Sequence, residues 1–243
     1  MNRVFAVARA VVSDAIRRRL VWIVVLFSLV LAASIPMLPS YGVGVAEAVY
    51  REIALAMTYV AAMVVTLVLS VARIPGEVER RTVYSVLARD VRRWEYVLGT
   101  WLGIVLTLGA ATLAFGAIIF GVGWVMYGEP MWLLWQGVAA IWMEAGIIAA
   151  LCVAVSTVTL PVIVAIAALA FLFIAHVRAD LLGGPQNPLW HVYPSLDAFN
   201  IIAPVAHGSG VSLMYLATMT AVFAAWVAML TLLGALGFSR RDL

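Results

Sequence analysis

Apolar residues in this chain come in long unbroken runs separated by short polar stretches. Six runs, at 20 to 38, 53 to 72, 96 to 124, 132 to 155, 160 to 177 and 212 to 237, are long enough to cross about 30 Å of hydrocarbon. They are continuous rather than alternating, and each exceeds the roughly ten residues of a barrel strand, so the pattern predicts helices. Backbone in hydrocarbon has no water to bond to and must be satisfied internally, as a helix does. The expected fold is all-α, a polytopic membrane protein built as one domain over 1–243 from a bundle of six transmembrane helices.

Ahead of the first run the period changes. Val4, Phe5, Ala8, Val11, Val12, Ala15 and Ile16 fall on one side of a helical wheel, and Arg3, Asp14, Arg17 and Arg18 on the other. This predicts an amphipathic helix over 1–19, lying in the headgroup layer with its arginines towards anionic lipid. A plain cytoplasmic extension of the first span is the alternative. Leu31-Ala32-Ala33-Ser34 offers small residues for a signal-peptide cleavage site, but the apolar run before it is longer than the about 7 to 15 residues of a signal core.

Composition supports the membrane reading, since 65% of residues are hydrophobic and 11% charged, against roughly half and a quarter in a soluble domain. A water-soluble domain is excluded, because that surplus would have to sit on the surface as large apolar patches. All 15 basic residues are arginine. A lysine-free chain has no Walker A lysine, no Schiff-base lysine and no lysine general base. Cys152 stands alone, so an intrachain disulfide and a multi-cysteine metal site are both excluded. Thirteen of the 15 arginines lie in the N-terminal segment, the connection between spans two and three, and the tail, while Arg51 and Arg178 lie at the opposite span ends. Positive charge is retained on the cytoplasmic side, which assigns both termini there and places a multi-pass chain in the cell membrane.

Two connections are long enough to hold structure. The first, 73–95, is dense in charge yet helically spaced: Glu77 precedes Arg81 by four residues, in the favourable order for an ion pair, and Val83 and Leu87 are also four apart, with Val86 on a neighbouring face. A short helix ending near Arg89 is expected, with Asp90 as N-cap of the next helix and Trp94 and Tyr96 at the interface. A solvated loop whose charges only set topology is the plainer alternative.

At this connection the chain resembles the type-2 ABC transporter permeases. The likeness lies in Glu77-Val78-Glu79-Arg80-Arg81-Thr82-Val83-Tyr84-Ser85-Val86-Leu87-Ala88-Arg89 and in Arg92-Arg93-Trp94-Glu95-Tyr96-Val97-Leu98-Gly99, which are similar to the family's acidic-Thr-hydrophobic stretch and its Arg-aromatic-Glu-aromatic start of the third span. Asp90 stands where the family commonly has Pro, and Thr100 where it commonly has Lys, so a role for that Lys does not carry over. The ending Phe238-Ser239-Arg240-Arg241-Asp242-Leu243 is similar to the family's basic tail, and the six-span plan with an amphipathic start matches throughout. The resemblance implies a permease subunit, an exporter by the family's commoner direction, that forms a translocation pathway with a second permease as a homo- or heterodimer. ATP and Mg would be bound by a separate ATP-binding subunit, leaving this chain without a cofactor and without catalytic activity. A cytoplasmic coupling helix bearing Glu77, Glu79, Arg80, Arg81, Val83, Tyr84, Val86 and Leu87 would dock on that ATPase. A periplasmic or surface accessory protein is compatible with the scheme, and nucleic acid has no part in it. The residues make the same demand independently: without a lysine and a Gly-rich phosphate loop, ATP-driven movement needs a second polypeptide.

The second connection, 178–211, contains Gly183-Gly184-Pro185, Pro188, Pro194 and Pro204 with Trp190, Tyr193 and Phe199 among them. Such backbone must be satisfied by water or protein, so reentrant or interfacial helices are expected on the outer side, and Tyr193-Pro194-Ser195-Leu196-Asp197-Ala198-Phe199-Asn200 resembles a segment of some family members. His191, His207, Asp197 and Glu129 carry metal-ligating groups, but nothing in the sequence fixes their separation and no metal is assigned.

Glu144 is the one ionisable residue deep in a predicted span, with no Arg or His at the same predicted depth. It should face the bundle interior, partnered or protonated, either as a pathway or gate residue or as an interhelical hydrogen bond that packs the bundle. Trp135, Gln136 and Trp142 read as packing and interface residues. Two other classes of function compete with the permease. A stand-alone proton- or ion-coupled carrier would need more intramembrane ionisable groups than the spans show. An intramembrane enzyme would need catalytic groups converging at one depth, whereas His176 sits at a predicted span end, Cys152 has no neighbouring base and Glu144 stands alone.

Overall fold

The computed structural model describes residues 2–17, 26–27, 29–30, 45–71, 73–79, 91–177, 186 and 195–240. Among these every regular element is helical: α1 (Asn2–Arg17), α2 (Val45–Ser70), α3 (Arg73–Glu79), α4 (Arg93–Tyr127), α5 (Leu134–Ser156), α6 (Pro161–His176), a 3-10 turn at Leu196–Phe199, α7 (Ile202–Ala206) and α8 (Leu213–Ser239). Four of them, α2, α4, α5 and α8, are long and apolar enough to cross a membrane. The first predicted span is described only at 26, 27, 29 and 30, where Phe27 meets Phe115 edge-on with ring centroids 6.4 Å apart.

Helix ends follow local chemistry. Glu95, in the first turn of α4, accepts the Arg92 backbone N–H at 2.8 Å, so α4 is capped at Arg92 and not at Asp90, which lies outside the described residues. The acidic side chain reaching back satisfies a donor that the helix itself cannot. At its other end α4 stops on Gly128, whose φ of 77° is left-handed and favours glycine, with its N–H on Trp124 O at 2.9 Å. Pro161 opens α6, where its missing N–H costs nothing, and Ser212 caps α8 by accepting from Tyr215 N–H. Within the helices Thr58, Thr66, Thr107, Thr112 and Thr231 donate to the carbonyl four residues back, so no hydroxyl among them needs water.

The core is organised around α5, which packs on α2, α4, α6 and α8. Glycine lets the backbones approach. Gly109, Gly116 and Gly123 on α4 recur every seventh residue, and they seat Trp142, Trp135 and Met131 in turn as the chain runs back from α4 into α5. Such a seven-residue repeat keeps one seam facing its neighbour along two antiparallel helices. Trp142 and Trp101 fasten the pair, donating to Val105 O and Gly146 O, both at 3.1 Å. On α5, Gly137 receives Leu55 of α2 and Gly146 receives Phe223 of α8.

The amphipathic helix α1 forms, and its apolar face meets protein. Val7, Ala8, Val11 and Ala15 are buried, with Val4 O and Val7 against Gly99 and Ala8 O and Val11 against Gly103. Both contacts advance by four residues, so α1 runs parallel to α4 in a groove cut by a Gly-x-x-x-Gly pair. Asp14 accepts from Arg73 at 2.5 Å, fixing the C-terminal part of α1 to the start of α3.

Candidate functional site

The two ends of the bundle differ in charge. At one end Arg93 donates to Phe238 O at 2.7 Å and Ser239 O at 3.0 Å, with its guanidinium 5.8 Å from the centroid of the Phe238 ring. Tyr96 stacks on the same ring with centroids 5.7 Å apart. The N-terminus of α6 belongs to this end too, as the packing of Gly237 on Thr157 shows. At the other end Arg51 pairs with Glu47 and donates to Ala206 O at 3.2 Å, while Gln136 accepts Val211 N–H at 2.9 Å. Exposed Trp94 marks the first end of α4 and exposed Trp124 the second, about 45 Å apart at 1.5 Å per residue, which matches a bilayer with its headgroup layers.

Of the residues that the sequence suggests for ATPase docking, Glu77 and Glu79 lie in the last turn of α3, with backbone alone described. Arg80, Arg81, Val83, Tyr84, Val86 and Leu87 lie outside the described residues, as does His191 of the suggested outer cluster. Among the described residues no group of three metal-ligating side chains converges, and His207 Nδ1 sits 2.8 Å from Ala203 O within its own turn.

Glu144 is where the structure adds most. Its side chain is 1% exposed, eleventh in α5, and faces the bundle interior. Tyr59 of α2 donates to its Oε1 at 2.9 Å, and His176 Nε2 lies 3.5 Å from the same oxygen. The Tyr59 and His176 rings stand nearly perpendicular, with centroids 6.3 Å apart. This corrects the expectation that no histidine shares the depth of Glu144. α6 has 16 residues and rises about 24 Å, short of a full crossing, so its last residue stops level with the middle of α5 instead of at the bundle surface.

Beyond that end the 3-10 turn and α7 pack against α5, burying Leu196, Phe199, Ile201 and Val205. A cavity of about 140 Å³ remains where the broken backbone meets the long helices, bounded by Tyr59, Glu144 and His176 on one side and Phe199, Asn200 and Ile201 on the other. Irregular backbone at such depth is tolerated where protein or a wet cavity satisfies it. Tyr59 escaped the reading of the sequence, which also set His176 at a span end and Asn200 in the outer segment, apart from Glu144. The signal that could have found His176 is the shortness of the apolar run after Pro161; nothing local marks Tyr59.

Comparison of the sequence with family models and with curated proteins finds no match.

Proposed function

We propose that the chain is the membrane-spanning permease subunit of an ABC transporter, working as a dimer and driven by ATP hydrolysis in a separate subunit. The observation that carries this reading is the meeting of two segments on which the resemblance rests. Arg93 and Tyr96, from the start of α4, close on Phe238 and Ser239 at the end of α8. Their union fastens Arg93, in the C-terminal part of the 73–95 connection, to the end of α8. On this reading the arginine-rich end faces the cytoplasm, as the positive-inside rule requires. The first run, 20 to 38, supplies a further span, and α6 with the returning 196–206 segment forms a broken fifth one, reentrant from the outer side. Export is the direction carried over from the resemblance.

The test is copurification. The full chain, tagged and co-expressed with the ATP-binding protein of its operon or host, should capture that protein and support substrate-stimulated hydrolysis. In a Tyr84→Ala, Leu87→Ala double variant the capture should weaken about thirtyfold, since a buried interface anchor is worth about 2 kcal/mol while rim charges chiefly set association rate. Expression without any captured ATPase, or undiminished capture by the double variant, would overturn the assignment or its docking segment respectively.

A second reading has one observation in its favour. The cluster of Glu144, His176 and Tyr59 beside a break in the helices is the arrangement expected at the site of a proton- or ion-coupled carrier acting alone. Uptake or efflux in vesicles driven by a pH gradient, without nucleotide, separates the two.

A further inference from the structure

The hydrogen bonds around His176 fix where its proton is. Nδ1 lies 3.0 Å from Leu172 O, four residues back on α6, and a carbonyl can only accept, so Nδ1 carries a hydrogen. In a neutral ring Nε2 is then bare, and it is Nε2 that faces Glu144 Oε1 at 3.5 Å. An ionised Glu144 against a bare Nε2 would set two lone pairs against each other in a pocket whose walls include the apolar Ile141, Ile201 and Phe199. One added proton removes the conflict on either partner, as a carboxylic acid donating to the imidazole or as an imidazolium donating to the carboxylate.

We propose that this cavity is a proton-binding site in which Glu144 and His176 hold one proton jointly, with Tyr59 fixing the carboxyl. Each part of the site has its task. Tyr59 O–H donates to Oε1, the same oxygen that faces His176, and so favours the orientation that keeps the carboxyl beside the histidine. His176, a quarter exposed where Glu144 is closed off, is the member through which a proton reaches the buried carboxyl. Asp197, exposed on the 3-10 turn, adds a second negative charge acting on Glu144. Among the described residues the polar groups that line the cavity with Glu144 are therefore Tyr59 from α2, His176 from α6 and the neutral Asn200 from the returning segment, with the charge of Asp197 acting from the exposed side of the 3-10 turn; α7 contributes the apolar Ile202. The cavity has room for a few water molecules between these groups. The site rests on this geometry alone, and it stands whether the chain serves an ATPase or acts by itself.

Nitrogen NMR of the full chain in lipid nanodiscs, with ¹⁵N-labelled histidine ring nitrogens, tests it. The chain has three histidines, so single replacements of His191 and His207 by Gln identify the His176 signals. In the unaltered chain His176 should carry hydrogen on Nδ1 at every pH between about 5 and 8, the range in which histidine ordinarily titrates. In Glu144→Gln, which keeps an acceptor for Tyr59 but has no proton to share, the Nε2 signal should titrate with a displaced midpoint. A bare Nδ1 with hydrogen on Nε2 in the unaltered chain would overturn the proposal without recourse to any variant. So would an Nε2 titration that is the same in the unaltered chain and in Glu144→Gln.

Discussion

The groove that holds α1 gives a sharp quantitative test. A Cβ added to Gly103 would lie 2.6 Å from Val11 Cβ and 2.7 Å from Ala8 O; one added to Gly99 would lie 2.7 Å from Val7 Cβ and 2.8 Å from Val4 O. Carbon atoms make contact at about 3.5 to 4.0 Å, so α1 would have to retreat by about 1 Å. Turning a valine side chain does not relieve the clash, because the two nearest opposing atoms at each position are a backbone oxygen and a β-carbon. Overpacking of this kind costs about 1 to 3 kcal/mol. The two positions share one interface, and a single retreat relieves both, so a Gly99→Ala, Gly103→Ala double variant should cost little more than either alone. Local opening of α1 should become about 5- to 150-fold more frequent, at about 1.4 kcal/mol per tenfold. Hydrogen–deuterium exchange of the detergent-solubilised chain reads this directly, with peptides of α1 exchanging faster and those of α5 unchanged as the internal reference. Unchanged exchange across residues 4–15 in the double variant would refute the packing of α1 against α4.

Two further outcomes follow from the same structure. Glu144→Leu removes the acceptor of Tyr59 and the partner of His176 and should lower stability by about 1 to 3 kcal/mol, whereas Glu144→Gln should stay within about 1 kcal/mol; equal losses in thermal unfolding would mean that the carboxyl acts by bulk alone. In a Cys152→Ala background, Ser195→Cys should react with an impermeant thiol reagent on intact cells and Ser85→Cys should not, and the reverse pattern would invert the proposed orientation.

Some of this architecture is written locally and some is not. Continuous apolar runs on α2, α4, α5 and α8 declare helices without any knowledge of partners, because in hydrocarbon the backbone must bond to itself. The amphipathic period of α1 is equally local. What that face meets is not, since it depends on Gly99 and Gly103 opening a groove some ninety residues away in the chain. Boundaries show the same division: α2 starts at Val45, eight residues before the apolar run, where Glu47 and Arg51 pair across one turn, while α4 is capped by Glu95 reaching back to Arg92. Glu144 is conspicuous in the sequence because a carboxyl inside a span is rare. Its partners were hidden, because Tyr59 comes from a helix 85 residues earlier and His176 reaches mid-depth only because α6 ends early and the returning segment fills the space beyond it. Hydropathy sets which segments leave water; the relative lengths and closest approaches of packed helices set which side chains then share a depth, and those are properties of the assembled bundle.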